Sequence, residues 1–123
     1  MKIYSSKDPF DVKNYIGKDL WVECQGDDGF YQYFRFLSLH GNIVTCNVIY
    51  ADIIDELDPE CLWNDFPSYP VKPIDLNRYF TSEVEYYLYD IKVYADLEIR
   101  TTAEIKECLQ EVKDKLTGGG HGA

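Results

Sequence analysis

Lysine and arginine are scarce in this sequence, and none occurs between Arg35 and Lys72. The chain of 123 residues has 12 Lys and Arg against 22 Asp and Glu, which gives a formal net charge of −10. Such a charge repels phosphate backbones and attracts basic surfaces. The composition therefore disfavours direct nucleic-acid binding and favours a basic protein partner, a class that includes nucleic-acid-binding proteins.

Long apolar runs are missing as well. No stretch of eighteen consecutive apolar residues occurs, so no transmembrane helix is predicted. The first nine residues also lack the apolar run of a signal peptide. We therefore expect a cytoplasmic protein without a membrane partner.

Closely spaced metal ligands are absent too. The four cysteines (Cys24, Cys46, Cys61 and Cys108) are 22, 15 and 47 positions apart, whereas structural zinc sites usually bring ligands in pairs two to four residues apart. Cys24 and Cys108 fall on predicted apolar faces. This spacing predicts reduced structural thiols, with no metal and no cofactor.

Sequence motifs of catalysis are not found. The chain has no phosphate loop, no dinucleotide fingerprint and no nucleophile elbow. Of its two histidines, His40 falls in a predicted turn and His121 in the terminal tail. We assign no catalytic residue, and an enzyme with a site built from distant carboxylates remains an alternative.

The apolar pattern predicts an α+β fold. Asp8 and Pro9 begin a short N-terminal helix that Gly17 ends. Three strands follow at 18–25, 30–39 and 43–50, joined by glycine-containing turns. The second strand has bulky residues on both faces, which favours a curled antiparallel sheet or an SH3-like small barrel.

The second half of the chain is predicted from mixed signals. Residues 51–57 form a short acidic helix, and the pattern at 84–99 favours a strand, although Ser82 and Glu85 resemble a helix capping box. Thr101 and Glu104 form a second capping box, which begins an amphipathic helix packed on the sheet. One domain covers residues 1–117, and residues 118–123 form a flexible glycine-rich tail.

One stretch, residues 52–66, combines acidic and aromatic side chains and is called the acidic segment below. An interface has aromatic anchors at its centre and charges around them, whereas a purely solvating surface has no need of Trp and Phe. The segment therefore predicts a partner-binding surface. Its candidate residues are Asp52, Asp55, Glu56, Asp58, Glu60, Trp63, Asp65 and Phe66.

A second candidate surface lies on the predicted second strand. Tyr31, Tyr33 and Arg35 share one face, and small barrels use such faces to stack bases beside cations. The competing interpretation is that these tyrosines pack beneath the C-terminal helix. The main hypothesis is that this chain is a non-enzymatic interaction protein, such as an inhibitor or nucleic-acid mimic of phage or host-defence type. The alternative is a nucleic-acid-binding or peptide-binding module that uses the tyrosine face.

Overall fold

The computed structural model describes residues 2–3, 11–25, 29–58, 75–92 and 98–116. In these ranges the strands are β1 (Lys2–Ile3), β2 (Leu20–Gln25), β3 (Tyr31–His40), β4 (Ile43–Tyr50), β5 (Val84–Tyr87) and β6 (Glu98–Thr101). The α-helices are α1 (Ala51–Asp55), α2 (Arg78–Thr81) and α3 (Thr102–Leu116). Two 3-10 turns cover Val12–Asn14 and Leu88–Asp90. The α+β prediction is confirmed.

All six strands belong to one antiparallel sheet with the order β1-β6-β2-β3-β4-β5. Five strands form its body, and the two-residue β1 extends one edge by pairing with β6. The consecutive pairs β2–β3 and β3–β4 confirm the predicted meander. Because β1 and β5 lie at opposite edges, the sheet is not closed, and the particular arrangement of an SH3-like barrel is not shown.

A bulge in β3 changes which side chains share a face. The pairs Phe36↔Cys46 and Ser38↔Thr45 are separated by two steps on β3 but by one on β4, so Leu37 is the extra residue. Beyond an inserted residue, each side chain of the strand points to the opposite face from the one that simple alternation predicts. Leu39 consequently packs on the same face as Phe34 and Phe36, and not with Tyr31 and Tyr33 as simple alternation predicts.

Both faces of the sheet are covered. The first core contains buried apolar residues from one face and from the N-terminal 3-10 turn: Val12, Val22, Cys24, Phe34, Phe36, Val44, Cys46 and Ile99. The second core lies between the opposite face and the helices: Trp21, Tyr33, Ile49, Ala51, Ile53, Ile54, Tyr79, Ile105, Leu109 and Val112. We call this opposite side the helix face. The two-sided burial of the second predicted strand is thus confirmed.

Two predicted elements need correction. The stretch 84–99 is not one strand: β5 ends at Tyr87, a 3-10 turn follows, and Lys92 forms an isolated bridge with Gln25 before β6 begins at Glu98. The amide of Leu88 still donates to the carbonyl of Asn42 beside β4, and the amide of Ile91 then donates to the Leu88 carbonyl, which closes the 3-10 turn. Of the N-terminal helix predicted up to Gly17, the described residues form a single 3-10 turn capped by Asp11.

The C-terminal helix begins as predicted. The Thr101 amide donates to Glu104 Oε1 at 2.9 Å, and the Glu104 amide donates to Thr101 Oγ1 at 3.2 Å. These reciprocal bonds satisfy two backbone donors at the start of α3. The bond from the backbone of Thr101 lowers the pKa of the Glu104 carboxyl from 4.5 to about 2. In the predicted stripe, Ile105, Leu109 and Val112 are fully buried.

Candidate functional site

The acidic segment begins with α1, which lies on the helix face beside α3. Its apolar residues Ala51, Ile53 and Ile54 are buried. The carboxylates of Asp52, Asp55 and Glu56 are exposed, and Asp58 is half-buried. Glu60, Trp63, Asp65 and Phe66 lie outside the described residues. The structure thus describes the first half of the predicted surface and leaves its aromatic half untested.

The end of α1 is set by Leu57. Leu57 has a φ of 51°, the left-handed conformation that glycine usually supplies at a helix end. The amide of Asp58 donates to the carbonyl of Asp52, which closes the turn after the helix. Leu57 packs against the helix-face core, so its burial offsets the backbone strain. The helix therefore stops at Asp55, two residues earlier than predicted.

Asp55 is held by a polar cluster on the helix face, which we call the Arg100 cluster (Glu23, Tyr33, Asp55, Glu98 and Arg100). The Tyr33 hydroxyl donates to Asp55 Oδ1 at 2.8 Å and to Glu98 Oε2 at 3.2 Å. Arg100 Nη2 donates to the same two oxygens at 3.0 and 2.9 Å. The guanidinium carbon also lies 5.5 Å from the centre of the Tyr33 ring. One cation therefore faces three carboxylates.

This imbalance of charge appears in the pKa values of the cluster. Burial, a hydrogen bond with Asp55 and the charges of Asp55 and Glu98 raise the pKa of Glu23 from 4.5 to about 8. Burial and the Asp55 carboxylate also raise the pKa of the Tyr33 hydroxyl. Burial alone would lower the pKa of Arg100, but the bond to Glu98 and the surrounding negative charge raise it overall. Glu23 therefore holds its proton more tightly than an ordinary glutamate.

One edge of α3 adjoins Arg100, and the other adjoins α2. On one edge, Arg100 Nη1 approaches Cys108 Sγ at 3.4 Å. Burial raises the pKa of the Cys108 thiol; Arg100 opposes this shift, whereas the nearby charges of Glu111 and Glu107 increase it. On the other edge, Lys106 Nζ lies 5.1 Å from the centre of the Phe80 ring. Glu107 and Glu111 thus lie on the side of α3 that adjoins Arg100 and α1, and the exposed Lys115, four positions after Glu111, lies on the same side.

Together, the exposed carboxylates of α1 and of this edge form one surface, the acidic face. Its members are Asp52, Asp55, Glu56, Glu107 and Glu111. Arg100 connects the two helices at its base, since it contacts both Asp55 and Cys108. The sequence segment and the spatial surface therefore differ, because two of the five carboxylates come from α3, about fifty residues away along the chain.

The alternative surface of Tyr31, Tyr33 and Arg35 is not brought together as an open face. Tyr33 is fully buried in the helix-face core, while Tyr31 is 47% exposed. Arg35 lies between aromatic rings, with its guanidinium carbon 5.2 Å from the Trp21 ring and 5.8 Å from the Phe80 ring. Its Nε and Nη2 donate to Asn47 Oδ1 at 3.0 and 2.7 Å. Tyr33 follows the competing interpretation, packing beneath the C-terminal helix, and Arg35 joins β3 to β4 and α2.

The described cysteines are free thiols. Cys24 and Cys46 are buried in the first core, and Cys108 is half-buried; Cys61 lies outside the described residues. Burial raises the pKa of Cys24 and raises that of Cys46 to about 12. Among the residues that the structure describes, no three His, Cys, Asp or Glu side chains are placed to hold a metal ion.

Two cavities of about 200 Å³ each are lined by described residues. One lies between α2 and α3, with Leu76, Phe80 and Leu109 in its wall. The other lies where β4 extends past β5, and Gln32, Tyr50 and Arg78 contribute to its lining. Neither cavity is lined by a member of the Arg100 cluster. The carboxylates of Asp55 and Glu98 accept hydrogen bonds from Tyr33 and Arg100, and they do not face either cavity.

Sequence reasoning missed Glu23, Glu98 and Arg100. Glu23 stands between the buried Val22 and Cys24 in a strand that is central in the sheet, and a charged residue at such a position needs a partner. Glu98 and Arg100 alternate with the buried Ile99, which places both on the same side of β6. The alternation was visible in the sequence, but the pairing of β6 with β2 was not.

The fold and this site define a small α+β protein with an open antiparallel sheet and an acidic helical side. Comparisons with protein-family models, with curated proteins and with solved structures find no match. A function is therefore inferred from the residues of this chain alone.

Proposed function

We propose that this chain is a non-enzymatic interaction protein that binds a basic protein surface through its acidic face. The observation that carries the proposal is the pair of exposed carboxylates, Glu107 and Glu111, on the side of α3 that adjoins α1. Together with Asp52, Asp55 and Glu56, they outnumber Lys115, which lies on the same side of α3. A patch of net negative charge steers a basic partner and raises its association rate.

The anchoring of α1 supports this function. Asp55 accepts hydrogen bonds from Tyr33 and Arg100, so the backbone that carries Asp52 and Glu56 is fixed before a partner arrives. A surface that is already ordered loses less conformational entropy on binding. The backbone of α1 and the carboxylate of Asp55 are thus preorganised for a cationic partner.

The finer proposal concerns the class of partner. Carboxylates spaced along two adjacent helices can imitate the spaced phosphates of a nucleic acid, so a nucleic-acid-binding protein fits this face. An inhibitor of such a protein, of phage or host-defence type, is the function that this geometry favours. Trp63 and Phe66 of the acidic segment remain the candidate aromatic anchors.

The test compares two charge-reversal variants with the same change in net charge. Glu107→Lys with Glu111→Lys alters the acidic face, and Glu83→Lys with Glu85→Lys alters exposed positions at and just before β5. Each pair raises the net charge from −10 to −6. Neither pair removes a hydrogen bond of the Arg100 cluster, so both variants should fold, as thermal unfolding will establish.

Each immobilised variant is offered a lysate of the native cell at low and at high salt, and captured proteins are then measured for binding kinetics. We expect a partner that the parent and the β5 variant retain and that the α3 variant loses. For that partner, the association rate should fall with salt because ions screen exposed charges. Equal capture by the two variants, or capture that salt leaves unchanged, would contradict the proposal.

A further inference from the structure

One side of β5 is open for a further strand. In the sheet order β1-β6-β2-β3-β4-β5 this strand lies at the edge, and among the described residues it pairs with β4 alone. We call Val84–Tyr87 the β5 edge. An edge strand presents backbone amides and carbonyls to which another extended chain can add. Prolines and lysines commonly prevent such additions, and the β5 edge contains neither.

The register of β5 determines which of its backbone groups face outward. The Leu88 amide donates to the carbonyl of Asn42, the residue opposite it, at 2.7 Å. In an antiparallel ladder, hydrogen-bonded pairs alternate with pairs that are not hydrogen-bonded. The backbone groups of Tyr86, two positions before Leu88, therefore also face β4, whereas those of Glu85 and Tyr87 face outward. Each of these two residues offers one donor and one acceptor to an added strand.

The side chains beside these outward-facing groups form an exposed surface that is both aromatic and acidic. Tyr87 is 52% exposed and lies opposite the exposed Ile43 of β4. The Tyr89 ring stacks on the Tyr87 ring with centres 5.3 Å apart, which extends this surface beyond the end of β5. Glu85 is exposed on the same face as Tyr87, because side chains two positions apart along a strand share a face. Tyr86 points the other way and packs against the first core.

The charges around the β5 edge select its occupant. Between Arg78 and Lys92 the chain has no lysine or arginine, and its charged residues there are Glu83, Glu85 and Asp90. A second copy of this chain would bring the same three carboxylates to the pairing, which like-charge repulsion opposes. A cation opposite Glu85 would instead form a favourable cross-strand pair, and an arginine opposite Tyr87 would stack on its ring.

We propose that the β5 edge binds an extended basic segment of another protein, which adds to the sheet as a further antiparallel strand. Basic side chains of the segment lie opposite Glu85 and Tyr87, and the apolar side chains between them lie over Val84 and Tyr86 on the other face. Backbone hydrogen bonds provide affinity, and the alternating side chains provide specificity. The proposal does not rest on the acidic face, because β3 and β4 separate β5 from the strands of the Arg100 cluster.

The probe is the capped peptide Thr-Arg-Val-Lys-Val-Arg-Val-Thr, titrated into the isotope-labelled full chain and followed by NMR. Binding should shift the backbone amide signals of Glu85 and Tyr87 and the ring signals of Tyr87 and Tyr89. Basic residues that lie opposite Glu85 and Tyr87 belong to hydrogen-bonded pairs, so their own amides face β5. N-methylation of the three basic residues should therefore weaken binding about tenfold or more, whereas N-methylation of the three valines should change it by less than about threefold.

Glu85→Lys tests the charge contact from the protein side. It replaces a favourable cross-strand charge pair by a repulsive one, so the affinity for the peptide should fall about fivefold or more. Glu107→Lys makes the same change in net charge on the acidic face and should keep the affinity within about twofold of the parent. The two proposals can therefore fail separately, since peptide binding depends on Glu85 and partner capture by the acidic face depends on Glu107 and Glu111.

Several results would overturn this proposal. They are the absence of binding at about 5 mM peptide, shifts confined to residues outside β5 and its tyrosines, equal effects of the two N-methylations, and equal binding of the acidic peptide Thr-Glu-Val-Glu-Val-Glu-Val-Thr. A dimer in sedimentation that shifts the β5 signals as concentration rises would identify a second copy as the occupant and would also refute it. Should Glu85→Lys fail to fold, the comparison of the two N-methylated peptides on the parent protein still decides.

Discussion

Replacing Glu23 by glutamine should change how the stability of the fold depends on pH. In the folded state burial, the hydrogen bond with Asp55 and the nearby carboxylates raise the pKa of Glu23 from 4.5 to about 8. A raised pKa means that folding takes up a proton. Its contribution is therefore fully present below pH 4.5, declines as pH rises, and is lost once pH exceeds about 8. Glutamine has no proton to lose, so this decline should disappear.

The magnitude follows from the rise in the pKa and from the exposure of Glu23. A tenfold change in proton affinity corresponds to about 1.4 kcal/mol, so a rise from 4.5 to about 8 would correspond to about 5 kcal/mol for a fully buried group. Glu23 is only half-buried, however, and water screens part of every interaction at such a site. We therefore expect a loss of about 1–2 kcal/mol in the parent between pH 4.5 and 8.5 that the variant does not show.

The assay is urea unfolding of the parent and of Glu23→Gln at half-unit steps from pH 4.5 to pH 9. The two free energies of unfolding should agree near pH 4.5 and diverge above it, with the variant more stable at pH 8.5. Glu85→Gln, at an exposed position of β5, is the matched control and should follow the parent. Parallel curves for the parent and Glu23→Gln would refute the idea that a proton is held in the Arg100 cluster.

Two further predictions concern the packing of the helix face. Leu109→Asp places a charge at a fully buried position, so the free energy of unfolding should fall by at least about 4 kcal/mol. Gln110→Asp, on the exposed side of α3, should lower it by less than about 1 kcal/mol. Urea unfolding of both variants tests this, and a stable Leu109→Asp protein would mean that α3 leaves the sheet. Arg35→Lys keeps the charge but loses both bonds to Asn47 and the planar contact with the Trp21 and Phe80 rings. Thermal unfolding should therefore show a fall of about 1–3 kcal/mol in the free energy of unfolding. An unchanged melting temperature would mean that the ring contacts do not stabilise the fold.

The meander and the C-terminal helix could be predicted because their signals are local. Ile43–Tyr50 has the predicted bounds, and Tyr31–His40 is displaced by one residue. Thr101 and Glu104 form their capping box from side chains three positions apart. Such contacts form within one turn of the chain, so residue types and spacing suffice to identify them.

The errors occur where distant contacts decide the structure. The residue types at 84–99 favour a strand throughout, but among the described residues of this stretch Val84–Tyr87 pair with β4, Lys92 forms a single bridge with Gln25, and β6 begins only at Glu98. Leu57 ends α1 in a conformation that leucine seldom adopts, because the core beneath it accepts its side chain. Strand propensities and helix-end rules use local sequence only, so they do not identify these distant partners.

The Arg100 cluster shows why the candidate site could be predicted only in part. The sequence identifies Asp55 as a surface charge by its acidic neighbours, yet the structure makes it the acceptor for Tyr33, 22 positions earlier, and for Arg100, 45 positions later. Its position depends on β6 lying beside β2, a pairing that brings Glu98 and Arg100 next to Glu23. Once this pairing exists, three carboxylates and one guanidinium share a half-buried site, and burial together with the neighbouring carboxylates raises the pKa of Glu23. Asp55 therefore belongs both to the interior network and to the acidic face, which is why a test of partner binding has to spare it and reverse Glu107 and Glu111 instead.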